Sequence, residues 1–376
     1  LGDTADAGSP TVSTYHAFAG ALLREFGLLL PVEPDARLLG DTEMWQLAYD
    51  VVRRHPDPLP IDKTPAAVTA MVLRLHGELA EHLVDTTDLR GTHAELERLV
   101  HTLPPGPRQR ETPNRRLLDL LDAQSERSAL VPLVDALTAR MRADRVMDFG
   151  SQMSAAARLA AAHPQVGEQL RERYRVVLLD EYQDTGHAQR IALSAMFGAS
   201  AGEAGREVGR EAAGEQLALT AVGDPIQSIY GWRGASATNL PRFATDFPCA
   251  NGSPSPTSEL STSWRNPPRV LELANAISAE ARRRSVGVRP LQARPGAEPG
   301  TVRCALLGDV AAERDWLADA IAARYTAEPD GQPPTAAVLV RRNADAGPIA
   351  AALTARGVPV EVVGLSGLLS IPEVAQ

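Results

Sequence analysis

Residues 176–185 read VVLLDEYQDT, a short apolar run that ends in charge. Such a run favours a buried strand of a parallel sheet. Asp180 and Glu181 then follow at its carboxyl end, the edge where open α/β sheets bind ligands. There Asp180 can hold Mg²⁺, and Glu181 can activate a water that attacks a γ-phosphate. An ordinary strand end with solvated acids is the alternative interpretation.

A second apolar run, residues 217–222 (LALTAV), leads into the polar segment 223–235, GDPIQSIYGWRGA. The pattern predicts another strand that breaks into a loop. Gln227 lies in this loop, where a neutral amide can contact both a γ-phosphate and the attacking water.

The same segment places Tyr230 and Trp232 two residues apart, beside Arg233, in a chain with only 4% aromatic residues. Aromatic rings next to arginine in a loop suit the stacking of unpaired bases, worth roughly 1–3 kcal/mol per base. Packing of these rings in the core is the alternative.

A third segment, residues 260–275 (LSTSWRNPPRVLELAN), predicts a loop that ends in Pro-Pro and starts a helix. Arg265 precedes the helix, and an arginine offered from a second domain can neutralise charge on a transferred phosphoryl group. Trp264 can stack on a nucleotide base. A helix start with a solvated arginine is the alternative.

Around these segments the periodicity predicts two kinds of region. A short strand at 11–15 runs into a helix at 16–27, and residues 30–165 are helical throughout, with breaks near 56–60 and 103–113. This region is interpreted as a helical insertion.

Beyond it, strands and helices alternate, which implies a parallel α/β sheet. Residues 199–216 are predicted to be a mobile surface insertion and 248–258 a loop. The further elements are strands at 301–307, 336–340 and 360–363 and helices at 311–325 and 345–356.

Composition limits the function classes. The net charge of −9 argues against a protein that coats nucleic acid with its whole surface, although it leaves room for a local basic groove. Lys63 is the only lysine, so basic charge comes from arginine, which suits phosphate recognition but also follows from a GC-rich genome. Cys249 and Cys304 are too few for a disulfide framework, which favours a reduced, cytoplasmic setting. No segment approaches about 18 continuous apolar residues, so no membrane span is expected.

In this order, the three segments resemble motifs II, III and IV of UvrD/Rep/PcrA-type superfamily 1 DNA helicases. Residues 11–18 (TVSTYHAF) resemble motif Ib, and residues 337–343 and 357–360 resemble the second motor domain. The similarity spans the chain but is thin across the helical region. The DEYQDTGH and GWRGASA stretches are similar to one branch, the AdnAB-type, RecBCD-like helicase–nucleases.

The resemblance implies RecA-like, P-loop NTPase-type parallel-sheet domains with a helical insertion domain. It places residues 1–29 in the first RecA-like domain and residues 30–165 in the helical insertion domain. Residues 166–250 are then the rest of the first RecA-like domain, with motifs II and III. Residues 251–376 are the first part of the second, with motif IV.

The resemblance also implies roles in an ATP- and Mg²⁺-dependent 3′→5′ helicase of DNA repair or double-strand-break processing. Asp180 corresponds to the Mg²⁺ acid, Glu181 to the catalytic base, and Gln227 to the γ-phosphate sensor. Arg265 corresponds to the arginine finger, and Trp264 stands where the family usually stacks a tyrosine on adenine. The implied DNA contacts are Thr14, His16, Tyr230, Trp232 and Arg233.

The phosphate-binding loop of this design, Gly-x-x-x-x-Gly-Lys-Ser/Thr, does not occur in the sequence. The only lysine lies in residues 60–64, PIDKT, with no glycine before it. We therefore expect a piece of a longer protein, with that loop before Leu1 and motifs V and VI after Gln376. The 376-residue chain alone is expected to have negligible ATPase activity.

The implied partners are single-stranded DNA, single-strand/duplex junctions and, in the AdnAB-type branch, a second helicase–nuclease subunit. Two alternatives stay open. One is a non-catalytic DNA-binding or scaffold subunit that kept the fold, and the other is a stand-alone repair helicase without a nuclease.

Overall fold

The structure is a computed structural model, and the residues that it describes are 10–30, 33, 35–58, 60–104, 106, 112–198, 217–249, 251–284, 288–325 and 335–363. Within them the chain is mixed but mostly helical, with small parallel strand pairs. It divides into two compact units, one of Leu1–Ser263 and Ala274–Gln292, the other of Trp264–Leu273 and Ala293–Gln376. The predicted insertion at 199–216 lies outside the described residues.

The elements in chain order up to residue 263 are α1 (Tyr15–Phe26), β1 (Arg37–Leu38), α2 (Asp41–Arg54), α3 (Pro65–His82), α4 (Thr86–Thr102), α5 (Arg115–Ala143), β2 (Val146–Met147), α6 (Phe149–Ala162), α7 (Pro164–Arg173), β3 (Val176–Leu179), α8 (His187–Phe197), β4 (Ala218–Ala221), α9 (Asn239–Asp246) and β5 (Thr262–Ser263). They are followed by α10 (Pro268–Ile277), α11 (Ala279–Arg284), β6 (Gln292–Ala293), α12 (Val310–Tyr325) and α13 (Ala346–Thr354). Among the described residues, no helix combines the length and the apolar character needed to cross a bilayer.

The two predicted apolar runs form a parallel strand pair in the first unit. β3 pairs with β4, and Leu179 lies opposite Ala221 at the carboxyl end of both strands. Both predicted strands are confirmed, but the prediction that β3 is a fully buried strand is wrong. Leu179 is buried whereas Leu178 is 75% exposed, because successive side chains point to opposite faces and only one face meets the core.

That core is built by the helices around β3 and β4. Apolar side chains of α1, α6, α7 and α8 pack together with Leu179 and Tyr182, which are both buried. The prediction of a helix near 16–27 is confirmed by α1. The predicted strand at 11–15 is wrong: Thr14 is the N-cap of α1 and its hydroxyl accepts the backbone N–H of Ala17, so a capping signal overrides the β-branched residues.

A second core lies in the helical region, where α2, α3 and α5 pack around buried side chains such as Val72, Leu133 and Leu137. The breaks predicted at the proline clusters are confirmed between Arg54 and Pro65 and again between Thr102 and Arg115. The prediction that residues 30–165 are helical throughout is wrong. Parallel strands β1 and β2 pair here through main-chain hydrogen bonds, and two residues each are too short for periodicity to reveal.

The second unit has a small core formed by Ala318 of α12, Leu353 of α13 and Val358. The predicted helices at 311–325 and 345–356 are confirmed by α12 and α13. The predicted strands at 301–307, 336–340 and 360–363 are wrong, since the described residues there form no strand. A strand needs a neighbouring backbone to pair its N–H and C=O groups, and an apolar run in the sequence does not guarantee one. Leu306 and Leu339 in these segments are almost fully exposed.

Candidate active site

Two loops leave the sheet side by side at the carboxyl ends of β3 and β4. The acid loop comprises residues 180–186, and the glutamine loop comprises residues 223–228. The ladder extends into both, because Val222 N donates to Leu179 O at 2.9 Å and Tyr182 N donates to Val222 O at 3.0 Å. The predicted acids and the predicted glutamine are therefore held at one sheet edge.

The side chain of Gln183 joins these loops. Its Nε2 donates to Glu181 Oε2 at 2.6 Å, and its Oε1 accepts the backbone N–H of Asp224 at 3.0 Å. A third bond runs from Ser228 Oγ to the carbonyl oxygen of Gln183 at 3.2 Å. Gln183 is only 1% exposed, and a buried amide left without partners would cost free energy.

Gln227 is held at the end of this network. Its Nε2 donates to Asp224 Oδ2 at 2.9 Å, while Asp224 Oδ1 accepts the backbone N–H of Ile226 at 2.9 Å. Gln227 itself is exposed. A continuous chain of hydrogen bonds thus runs from Glu181 through Gln183 and Asp224 to Gln227.

Asp180 lies exposed at the strand end and is contacted from α1. Tyr15 Oη donates to the carbonyl oxygen of Asp180 at 3.0 Å. Burial raises the pKa of the Tyr15 phenol, and the charges of Asp180 and Glu181 raise it further, so Tyr15 stays a neutral donor. Asp180 Oδ1 accepts the backbone N–H of Glu181 at 3.0 Å, which orients its carboxylate at the sheet edge.

Glu181 has a left-handed backbone, with φ 50° and ψ 42°. This conformation costs a non-glycine residue about 1–2 kcal/mol and persists only where its surroundings hold it. The hydrogen bonds on either side, from Tyr182 N to Val222 O and from Asp184 N to Glu181 O, provide that support. The backbone of the candidate base is therefore fixed at the cost of local strain.

The described residues contain no cluster of three or more His, Cys, Asp or Glu side chains able to hold a metal ion by themselves. Mg²⁺ usually takes only one or two protein carboxylates and completes its shell with water and phosphate oxygens. The exposed carboxylates of Asp180 and Glu181 fit such a site, in which Asp180 would hold Mg²⁺ together with the nucleotide.

An aromatic loop, residues 229–234, follows the glutamine loop. The rings of Tyr230 and Trp232 lie 6.5 Å apart at 47°, and Trp232 is 74% exposed. The alternative interpretation, that these rings pack in the core, is therefore wrong for Trp232. The side chain of Arg233 lies outside the described part of the structure.

The other predicted site residues have the following places. Thr14 caps α1 with its hydroxyl, and the His16 ring meets the Phe149 ring edge-on at 5.7 Å. Trp264 and Arg265 belong to the second unit, where both are exposed immediately before α10. The structure thus joins Asp180, Glu181 and Gln227 in the first unit.

Lys63 has a different place. It precedes α3 and forms an ion pair with Glu126 of α5, within the helical region. This is a surface ion pair between the segment before α3 and helix α5.

Several residues of the site were missed by sequence reasoning. The sequence prediction gave Gln183 no role, although a glutamine two residues after a candidate base is a visible signal. Asp224 is the third residue after β4, and its place in the loop that follows an apolar run is a visible signal. Tyr15 gave no signal beyond its place between Thr14 and His16.

Comparison with known proteins adds an independent line. A family model described as the UvrD/REP helicase N-terminal domain matches residues 3–248. The ATP-dependent DNA helicase UvrD2 of Mycobacterium tuberculosis is 31% identical over 375 residues, which cover 98% of this chain and 46% of that protein. UvrD1 of the same species is 30% identical over 251 residues, 65% of this chain and 29% of that protein.

DNA helicase II of Escherichia coli K12 is 33% identical over 132 residues, which cover 35% of this chain and 15% of that protein. The chain therefore spans less than half the length of each of these relatives.

Proposed function

The chain belongs to the UvrD/REP helicase family, and from this premise we propose that the protein is an ATP-dependent DNA helicase. It moves 3′→5′ on single-stranded DNA and opens single-strand/duplex junctions in DNA repair or double-strand-break processing. The relatives are DNA helicases by name, and two of them are named ATP-dependent, which supports DNA as the substrate and ATP as the energy source. The direction and the repair role rest on the motif resemblance.

One structural feature supports this activity above all. The buried amide of Gln183 joins Glu181 to the loop that carries Gln227, at the carboxyl edge of two parallel strands. A solvated strand end needs no such link, whereas a hydrolytic site needs its base and its phosphate sensor at a fixed separation. Parallel strands that end in a ligand site also support a RecA-like fold for the domain around β3 and β4.

Each residue then has a defined role. Asp180 holds Mg²⁺, and Glu181 orients the attacking water and takes its proton. Gln227 contacts the γ-phosphate and the same water. The glutamine loop therefore gains a contact when that phosphate is present and loses it when the phosphate is absent. When bound, the Mg²⁺–ATP pair supplies the phosphoryl group and the charge neutralisation for its transfer.

Two residues just before α10 are also proposed to contact the nucleotide. Arg265 acts as an arginine finger that stabilises charge on the transferred phosphoryl group, and Trp264 stacks on adenine. The 75% exposure of the Trp264 ring leaves surface available for such stacking. The division into residues 1–29, 30–165, 166–250 and 251–376 stays a prediction of the same scheme.

DNA is contacted from the first unit. The exposed ring of Trp232, together with Tyr230 and Arg233, stacks on and neutralises single-stranded DNA. Thr14 and His16 lie on either side of Tyr15, whose phenol contacts the acid loop. This proximity supports a single-strand path beside the nucleotide site.

Lys63 does not serve as the phosphate lysine, since it lies in the helical region and pairs with Glu126. The 376-residue chain by itself is therefore proposed to hydrolyse ATP negligibly. Measurable Mg²⁺-dependent turnover by this chain, abolished by Glu181→Gln, would contradict that.

A DNA-binding or scaffold subunit without catalysis is the competing function. Retention of Asp180, Glu181, Gln227 and Arg265 speaks against it, because a subunit without hydrolysis has no need of all four. The helicase–nuclease branch with a second subunit also remains a prediction.

Unwinding by the natural gene product tests the proposal. We expect ATP hydrolysis stimulated by single-stranded DNA, and unwinding of duplexes with a 3′ tail but not of those with a 5′ tail. DNA binding without any ATP hydrolysis would instead establish the scaffold function.

A further inference from the structure

Glu81 of the helical region contacts both the acid loop and the aromatic loop. It lies in the last turn of α3, 106 residues before its hydrogen-bond partner His187. Its carboxylate accepts the backbone N–H groups of His187 and Ala188, the first two residues of α8. These amides have no partner within their own helix, so Glu81 caps α8 from a different part of the fold.

Two glycines make room for this side chain. Gly186 ends the acid loop, and a Cβ there would lie 2.1 Å from Glu81 Oε1. Gly234 ends the aromatic loop at φ +90°, and a Cβ there would lie 2.5 Å from Glu81 Cγ. Glu81 is thus in contact with the last residue of each loop at once.

The acid loop is also bonded to the segment that follows the aromatic loop. The carbonyl oxygen of Thr185 accepts the backbone N–H of Ser236 at 3.2 Å and Nδ2 of Asn239 at 2.7 Å. Asn239 is only 4% exposed, so this junction is a packed part of the first unit. The segment that follows the aromatic loop is therefore bonded directly to the acid loop.

Burial raises the pKa of Glu81, and the backbone hydrogen bonds from His187 and Ala188 oppose that rise. Burying a carboxylate costs desolvation free energy. Ser, Thr or Asp at the N-cap position would cap the helix locally without that cost. The N-cap position of α8 is instead Gly186. The helix start has thus been built around a group that reaches it from α3.

We propose that Glu81 is a positioning residue through which DNA on the aromatic loop sets the geometry of the acid loop and thereby the rate of ATP hydrolysis. It touches neither nucleotide nor DNA and acts through Gly234 on one side and the start of α8 on the other. This inference rests on the proposed helicase function. It adds a coupling role for the helical region that contains α3.

The test compares Glu81→Ala and Glu81→Gln in the natural gene product, with ATP hydrolysis measured with and without single-stranded DNA. For Glu81→Ala we expect the ratio of DNA-stimulated to DNA-free rates to fall at least about five-fold, and the DNA concentration for half-maximal stimulation to rise. Glu81→Gln keeps an acceptor oxygen and is expected to retain most of the wild-type ratio of DNA-stimulated to DNA-free rates. Glu78→Ala, on the exposed side of the same helix, is the matched control and leaves the ratio unchanged.

An unchanged ratio in a folded Glu81→Ala protein would overturn the inference and leave Glu81 as a helix cap only. If Glu81→Ala fails to fold, Glu81→Asp keeps the charge but is one methylene too short to reach α8, and the same ratio decides. A wild-type protein without any DNA stimulation of its ATPase would contradict the proposed function itself, which separates the two failures.

Discussion

Gln183 donates from Nε2 to Glu181 Oε2 at 2.6 Å while its Oε1 accepts the backbone N–H of Asp224 at 3.0 Å. An ionised carboxylate can only accept and a backbone N–H can only donate, so these partners fix which end of the amide faces which loop. The position of Glu181 is therefore tied to that of the glutamine loop.

Replacing Gln183 with alanine removes both bonds and frees Glu181 from the glutamine loop. Because general-base catalysis contributes about 10²–10⁴-fold, we expect kcat for ATP hydrolysis to fall by about 10–100-fold, with little change in the KM for ATP. Steady-state kinetics of the natural gene product measure this. Gln46→Ala, on the exposed surface of α2, is the control. A parallel change in both variants would contradict the role of Gln183.

Gly223 allows the close approach of Gln183 to the glutamine loop. A Cβ at residue 223 would lie 2.3 Å from Gln183 Oε1, so Gly223→Ala should break the bridge and lower kcat while leaving DNA binding intact. Gly77→Ala is the control, because a Cβ there meets nothing within 4 Å and an alanine inside α3 should stabilise the fold by up to about 1 kcal/mol. Normal activity of Gly223→Ala would show that the bridge is dispensable.

Asp148 makes the first unit sensitive to acid. It caps α6 and lies 3.5 Å from His76 of α3. Burial alone would raise its pKa, but the hydrogen bonds and charge of His76 and the bonds from Ser151 outweigh burial and lower the pKa to about 2. A lowered carboxyl pKa stabilises the folded state above the unfolded-state pKa near 4, and this contribution is lost as pH falls towards 2.

Asp148→Asn isolates this effect, since asparagine still caps a helix. Near neutral pH we expect it to lower the free energy of unfolding by about 2 kcal/mol, and the difference from wild type should vanish as pH falls from 4 to 2. Denaturant unfolding at several pH values measures the difference. A difference that stays constant down to pH 2 would rule out the charge of Asp148 as its source.

Trp232 is expected to supply stacking energy to single-stranded DNA. Loss of a stacked base costs about 1–3 kcal/mol, so Trp232→Ala should raise the Kd for single-stranded DNA by about 5–150-fold and uncouple hydrolysis from movement. Trp316→Ala on α12 controls for the loss of an exposed indole. Unchanged binding and unchanged DNA-stimulated ATPase would refute the DNA role of Trp232.

Local patterns predicted the parts of the fold that local forces decide. β3 and β4 follow from apolar runs that end in charge, and α10 follows from a Pro-Pro pair before an apolar face. The strands expected at 301–307 and 336–340 failed because a strand depends on a neighbouring backbone. The helix start at Tyr15 was missed because the capping hydroxyl of Thr14 was taken for part of a strand.

The candidate site shows the same division. Asp180 and Glu181 could be proposed from sequence because they directly follow an apolar run, and Gln227 because it lies in the polar loop after the next run. Contacts between distant residues carry no such signal: nothing around Glu81 in α3 indicates that it caps a helix 106 residues away. The bridging role of Gln183 likewise depends on the register that places β3 beside β4.

The central claim is that the acid loop and the glutamine loop form one hydrolytic site in which Glu181 is the base. The most direct measurement is DNA-stimulated ATP hydrolysis by Glu181→Gln in the natural gene product, beside its binding of ATP and of single-stranded DNA, with Glu168→Gln on the exposed face of α7 as control. We predict that hydrolysis falls by at least about 100-fold while both binding affinities stay within about three-fold of wild type. Hydrolysis by Glu181→Gln at the rate of the control would contradict the account.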